Sequence, residues 1–294
     1  MSPITLQSPA KLNLFLAITG RRADGFHDLV SVAVPVEFGD TLTVDPRPSG
    51  FSMECDAAGL EIDDTNLVLR AARAFAAASG WTGGAHFSLA KRIPVGAGLG
   101  GGSSNAVAAL LALNQLAGSP LPREELLTLS AKLGSDCPLF LQEGPVIMRG
   151  RGESVVPLPP QAADRLRDRR VLIFKPSFGI STVWAYRQMA AGAPAAYLSA
   201  IEAETRLDAW IDHTSAPGEE LLYNNMEGPA FTKYLALPVA LERLRAEFDL
   251  APRMSGSGSA CFAFLPDDAP VAAITARIRE LWGTDAFVTD TRLL

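Results

Sequence analysis

Apolar and polar positions alternate from Ala10 onward: Leu12, Leu14, Leu16 and Ile18 point one way, and Lys11, Asn13, Phe15 and Ala17 the other. A period of two marks a β-strand. With the leucine stripe on the core, Lys11 and Asn13 share the opposite face, which looks onto solvent or a cleft. The turn-rich stretch Gly20–His27 comes next. A second alternation then passes through Val32, Val34, Val36 and Phe38, and Gly39-Asp40 reads as a turn into a further strand, Thr41–Val44. Strands in such succession predict an antiparallel meander.

The period then lengthens. Asn66–Ser79 has the Ala/Leu/Arg composition of a helix, Ala85–Ala90 is a strand, and helices are predicted at Ser104–Ala117 and Pro122–Leu133. The last of these has proline at its start and Gly134 just past its end. Strands return at Val146–Met148 and Val155–Leu158. Pro157–Arg170, rich in proline and charge, is the expected boundary between a domain of residues 1–160 and one of residues 161–294. Beyond it come a strand, Val171–Phe174, and several helices between Thr182 and Phe248. Cys261–Leu265 is a strand, Val271, Ile274, Ile278 and Leu281 mark an amphipathic helix, and Ala286–Thr289 closes the chain as a strand. The class implied is α+β.

Composition narrows the function. The 294 residues suffice for one large domain or two ordinary ones, and two are preferred here. A formal charge of −6 offers no basic surface for nucleic acid or an anionic membrane, so a phosphate-bearing ligand must be held by local donors. The three cysteines are odd in number and widely spaced, which argues against a disulfide framework. No apolar run reaches the roughly 20 residues of a membrane span. A soluble protein of the cytoplasm is expected, as monomer or weak homodimer. His27, His86 and His213 lack metal-ligand spacing, so a protein-caged zinc is not expected.

The chemistry concentrates at Pro94–Asn105, P-V-G-A-G-L-G-G-G-S-S-N, directly ahead of an Ala/Leu-rich helix. A side-chain-free turn at the positive end of a helix presents backbone N–H donors to phosphate. Ser103, Ser104 and Asn105 stand where they could cap that helix. Gly96, Gly98 and Gly101 satisfy the G-x-G-x-x-G spacing of dinucleotide sites, but Lys91, Arg92 and Pro94 occupy the place of the buried strand such sites require. No Gly-Lys-Ser/Thr follows, so the loop is not a Walker loop either.

Other residues are ambiguous one at a time. Lys11 reads as a solvated strand lysine or as a cation beside a transferring phosphoryl group. Asp136, in Leu-Gly-Ser-Asp-Cys-Pro, reads as a turn aspartate or as a base accepting a hydroxyl proton. Cys137 beside it is read as a packing residue. Phe26-His27 close a loop and could stack on a base and bond its edge. Met254-Ser-Gly-Ser-Gly-Ser-Ala-Cys is a second glycine-rich turn, either a tight bend or a wall close to ligand.

Taken together, Ser8-Pro-Ala-Lys-Leu-Asn-Leu, Gly20-Arg-Arg-Ala-Asp-Gly-Phe-His, Lys91 to Asn105 and Leu133-Gly-Ser-Asp-Cys-Pro resemble the GHMP kinase superfamily of galacto-, homoserine, mevalonate and phosphomevalonate kinases. Within it they resemble the branch that phosphorylates CDP-methylerythritol in the non-mevalonate route to isoprenoid precursors. The resemblance implies a two-domain fold, N-terminal like domain 2 of ribosomal protein S5 and C-terminal ferredoxin-like. It implies ATP and Mg²⁺ as cofactors, although no carboxylate is singled out as a magnesium ligand. It makes Lys11 and Asp136 the catalytic pair and assigns the ATP phosphates to Pro94, Val95, Gly96, Ala97, Gly98, Leu99, Gly100, Gly101, Gly102, Ser103 and Ser104. Asn66 and Lys91 lie near the adenosine or phosphate end; Asn13, Phe26, His27 and Tyr186 meet the small-molecule substrate. Another kinase of the superfamily and a catalytically idle nucleotide-binding protein are the alternatives. A nicotinamide-dependent oxidoreductase is a more distant one.

Overall fold

In a computed structural model of the protein, residues 2–57 and 60–294 are described. In chain order the elements are strands β1 (Ile4–Arg21), β2 (His27–Arg47) and β3 (Phe51–Cys55), helix α1 (Leu67–Ser79), strand β4 (Gly84–Ala90), and helices α2 (Gly101–Leu116) and α3 (Arg123–Leu133). Strands β5 (Val146–Gly150) and β6 (Ser154–Pro157), helix α4 (Pro160–Asp164), strand β7 (Arg170–Lys175), and helices α5 (Thr182–Ala191) and α6 (Ala200–Asp212) follow. The chain ends with β8 (Tyr223–Asn224), α7 (Glu227–Lys233), α8 (Ala236–Phe248), β9 (Arg253–Met254), β10 (Cys261–Phe264), α9 (Val271–Trp282) and β11 (Phe287–Arg292).

Two compact units result, and neither is contiguous in sequence. One comprises the chain up to Ala10, Phe38–Val95 and Gly100–Gln142; the other comprises Lys11–Glu37, Gly96–Leu99 and Glu143–Leu294. The cause is the length of β1 and β2. Each strand passes from one unit into the other, whereas a division at residue 160 follows the order of the sequence alone.

In the first unit, Thr41–Arg47 of β2 pairs antiparallel with β4, and β3 lies parallel to β4 on its other side. Helices α1, α2 and α3 cover the sheet. Phe75, Phe87, Leu42, Leu110 and Leu113 are fully buried between the layers. Asn66 sets the start of α1 by accepting the Val68 N–H at 2.9 Å, and Gly80 ends it in the left-handed conformation.

In the second unit, His27–Glu37 carries the antiparallel partner β5, which pairs in turn with β6, while β8 runs parallel to β1 at Phe15 and Leu16. A separate sheet has the order β11-β7-β10-β9. Its central strand β7 is buried on both faces, as its unbroken Val-Leu-Ile-Phe run requires.

Two sequence expectations are corrected here. Gly39-Asp40 is no turn, because β2 continues straight through it. Glycine is needed there for close approach: a Cβ on Gly39 would meet the Ser8 carbonyl oxygen at 2.5 Å. The second correction concerns β1, where Ala10–Ala17 is buried on both faces rather than one. Lys11 and Asn13 face neither open solvent nor a bare cleft, since glycine-loop backbone lies against them.

Candidate active site

The glycine loop owes its shape to left-handed residues. Gly96, Gly98 and Gly100 have φ of +63°, +80° and +72°, a region that costs an L residue with a side chain about 1–2 kcal/mol. At Gly98 space is also exhausted, for a Cβ would lie 2.3 Å from the Ser255 carbonyl oxygen. At Gly96 nothing stands within 4 Å. Three consecutive carbonyls of the loop are held: Ala97 O by the Ala260 N–H at 3.1 Å, Gly98 O by Ser255 Oγ at 3.2 Å, and Leu99 O by the Lys11 N–H at 3.0 Å. Fixing these peptide planes in advance spares an incoming ligand an ordering cost of about 1–2 kcal/mol per residue.

Helix α2 begins at Gly101, with Gly100 as its N-cap and no side-chain cap. The expectation that Ser103, Ser104 and Asn105 cap the helix is therefore overturned. They lie inside its first turns, where their side chains serve tertiary contacts. Ser104 and Asn105 both bond Ser8, and Ser103 bonds the Cys137 thiol. The first N–H groups of α2 keep the orphan-donor character and the partial positive charge that anions seek.

The second glycine loop, Met254–Cys261, is the wall behind the first. Its Ser255 touches Gly98, its Ser257 hydroxyl bonds Thr182 at 2.9 Å, and Ser259 donates to the Phe178 carbonyl at 2.6 Å. Sequence alone left a tight bend and a wall close to ligand equal; in the structure the second loop braces Ala97 and Gly98 of the first.

On β1, Lys11 and Asn13 are 4% and 6% exposed. The Lys11 ammonium donates to Asn13 Oδ1, Asn13 Nδ2 donates to Ser31 Oγ at 2.9 Å, and Ser31 donates to the Phe15 carbonyl at 2.6 Å. This relay fixes the amide orientation and aims the ammonium. Ser31, fully buried on β2, carried no sequence signal because it sits in an alternating strand like any other polar residue.

Asp136 opens the short 3₁₀ turn Cys137–Leu141, which packs on α2. A Cβ on Gly134 would sit 3.3 Å from Cys137 Sγ and 3.7 Å from Ser103 Oγ, so the segment carrying Asp136 lies against the first turn of the loop helix. Burial pushes the Cys137 thiol up to about 11, which suits packing rather than nucleophilic attack.

Around His27 the second unit gathers aromatic rings. His27 is 8% exposed, its Nε2 lies 3.2 Å from the Tyr197 hydroxyl, and its ring is 4.8 Å from that of Tyr186. Burial, with a smaller contribution from Arg21, holds its pKa below the ordinary imidazole value, favouring the neutral form. Phe26 is 54% exposed, with the Arg151 guanidinium 4.8 Å from its ring centroid. Tyr197 and Arg151 escaped the sequence reading, since both come from segments remote in the chain.

Asn66 and Lys91 have defined local partners. Besides capping α1, Asn66 donates to the Glu61 carbonyl at 2.9 Å. Lys91 forms a buried ion pair with Asp40. Among the described residues, no group of three or more His, Cys, Asp or Glu side chains is placed to hold a metal. None of the described helices is long and apolar enough to cross a membrane.

The family model "GHMP kinases N terminal domain" matches residues 66–144, and "GHMP kinases C terminal" matches residues 214–284. The chain belongs to the GHMP kinases. The first of these matched stretches contains Asn66, Lys91, the glycine loop and Asp136; the second contains the supporting loop. A 4-diphosphocytidyl-2-C-methyl-D-erythritol kinase from Synechococcus elongatus is 35% identical over 296 residues, covering 95% of this chain and 92% of the relative. A kinase of the same name from a Polaromonas species is 38% identical over 280 residues, covering 91% and 85%. A crystal structure of 4-(cytidine 5'-diphospho)-2C-methyl-D-erythritol kinase aligns with a TM-score of 0.77 at 34% identity over 98% of this chain and 99% of that one. This GHMP kinase thus has the two-domain α+β fold of its family over essentially its whole length.

Proposed function

We propose that this GHMP kinase transfers the γ-phosphoryl group of ATP to a hydroxyl of 4-diphosphocytidyl-2-C-methyl-D-erythritol. The observation that carries the reading is the glycine loop Pro94–Ser104, whose peptide planes are fixed from behind and whose end is the uncapped N-terminus of α2. The full-length relatives and their shared name supply the acceptor.

ATP phosphates would lie along the loop N–H groups, with Asn66 and Lys91 bordering the nucleotide. Magnesium commonly needs only one or two carboxylates besides the substrate's own phosphates, so a set of donors without a preformed cage fits it. It would supply charge neutralisation when bound. Asp136 accepts the proton of the acceptor hydroxyl. Lys11, aimed by Asn13, offsets negative charge on the phosphoryl group in a loose, in-line transition state. Neutral His27 bonds the cytosine edge through Nδ1, because Nε2 faces Tyr197, and Phe26 and Tyr186 provide aromatic surface for the base. Because catalysis here is positioning and electrostatics, no covalent intermediate forms. The enzyme works in the cytoplasm as a monomer or weak homodimer.

The test is a coupled assay of the purified protein with ATP and, in parallel, 4-diphosphocytidyl-2-C-methyl-D-erythritol, homoserine or mevalonate. Turnover on the first alone supports the reading. Preference for either other acceptor overturns the substrate assignment, and ATP binding without turnover on any overturns the enzymatic one.

A further inference from the structure

The segment that flanks the glycine loop converges on one carboxylate. Asp40 is fully buried in the middle of β2. Its Oδ1 accepts the N–H groups of Arg92 and Ile93, both at 2.7 Å, and its Oδ2 accepts Asn105 Nδ2 at 2.9 Å together with the Lys91 ammonium. Arg92 and Ile93 immediately precede Pro94, and Asn105 lies in the first turns of α2 beyond the loop. Asn105 Nδ2 also donates to Ser8 Oγ at 2.7 Å, and Ser8 donates to Ser104 Oγ at 2.9 Å.

We propose that Asp40 is a positioning residue for the glycine loop: a single buried carboxylate clamps the chain before the loop and the helix after it, and thereby sets where the phosphate-binding N–H groups lie. All four partners are donors. An ionised carboxylate can accept all of them, whereas an amide of the same shape turns a donor toward at least one. The ion pair also fixes the Lys91 ammonium beside the start of α2, where a Cβ on Gly101 would lie 2.9 Å from Nζ. Lys91 therefore serves the nucleotide through this clamp. The close approach at Gly39 holds the same stretch of β2 against Ser8, so the clamp has a fixed base.

This inference rests on the loop being the ATP phosphate loop, and its test separates the two. In the full-length protein, Asp40→Asn and Asn105→Ala are compared with the parent for ATP affinity by titration calorimetry and for the KM of each substrate, below the unfolding transition of every variant. Asp40→Asn is expected to weaken ATP binding by about tenfold or more and Asn105→Ala by about threefold, as lost charge-assisted and neutral bonds of a ligand-shaping network would. The KM for the cytidine substrate is expected to stay within about twofold, a split that mere loss of folded protein does not produce. Unchanged ATP affinity in the folded variants, or equal proportional rises in both KM values, overturns the clamp while leaving the loop assignment standing. Should Asp40→Asn not fold, Asn105→Ala, which keeps the ion pair, decides. Absence of ATP binding by the parent protein overturns both.

Discussion

Asp136 and His27 test the chemistry at the scale of single side chains. If Asp136 is the base proposed above, Asp136→Asn removes it with little change in volume, so kcat is expected to fall by about 10²–10⁴-fold while ATP affinity and Tm stay near those of the parent. Near-normal kcat in that variant contradicts the base assignment. For His27, burial lowers the folded-state pKa below the ordinary 6.5. The unfolded chain then binds the proton where the folded one does not, so stability present above pH about 6.5 is lost as pH falls through the folded-state value. Urea unfolding from about pH 7 to pH 5 should show this loss in the parent and a shallower slope in His27→Gln; equal slopes count against a neutral, buried His27. Residues of this kind differed in legibility. Lys11 and Asn13 were visible because they are the polar positions of a leucine alternation, and Asp136 because it follows a helix end. Asp40 was not, since Gly-Asp after an apolar run has the local grammar of a turn, and only the approach of Ser8 and the donors of Lys91, Arg92, Ile93 and Asn105 reveal a strand.

At the scale of elements, the loop glycines should not be equivalent. Alanine at Gly98 meets both positive φ and the Ser255 carbonyl, and is expected to cost roughly 3 kcal/mol or more of stability. Alanine at Gly96 meets positive φ in open space and is expected to cost about 1 kcal/mol, while raising the KM for ATP beyond what the stability loss explains. Denaturant unfolding alongside ATP kinetics checks both; equal destabilisation would contradict the support of Gly98 by the second loop. Helices α1, α2 and α3 were legible to within a few residues from composition and from punctuation at Asn66, Pro122 and Gly134. The start of α2 was not. Ser-Ser-Asn has the chemistry of a cap, yet Gly100 can take the left-handed conformation itself, so the helix starts earlier and the hydroxyls turn to Ser8 and Cys137.

For the molecule as a whole, the boundaries between compact units fall after Ala10, Glu37, Val95, Leu99 and Gln142. A fragment of residues 1–160 would therefore lack partners that the second unit needs. Asn225 and Leu198 bond the backbone of Ile18, β8 pairs with Phe15 and Leu16, and Leu294 bonds the Pro35 carbonyl. The fragment keeps every segment of the first unit, so the loss is expected in its second-unit part: rapid amide exchange over Lys11–Ile18, whereas the full chain protects those amides. Amides of Lys11–Ile18 protected in the fragment as in the full chain would support a domain border at residue 160. The sequence by itself determined the α+β class, the kinase family, the glycine loop and the candidate chemical groups, because periodicity is local and the residues of each motif are adjacent in the chain. Tertiary structure decided that β2 runs unbroken through Gly39-Asp40, that Lys11 and Asn13 are buried, that the second loop props the first, and that Asp40 bonds both flanks of the glycine loop. Each of those depends on backbone and side chains brought together from distant positions, where close approach and buried hydrogen-bond satisfaction overrule local propensity.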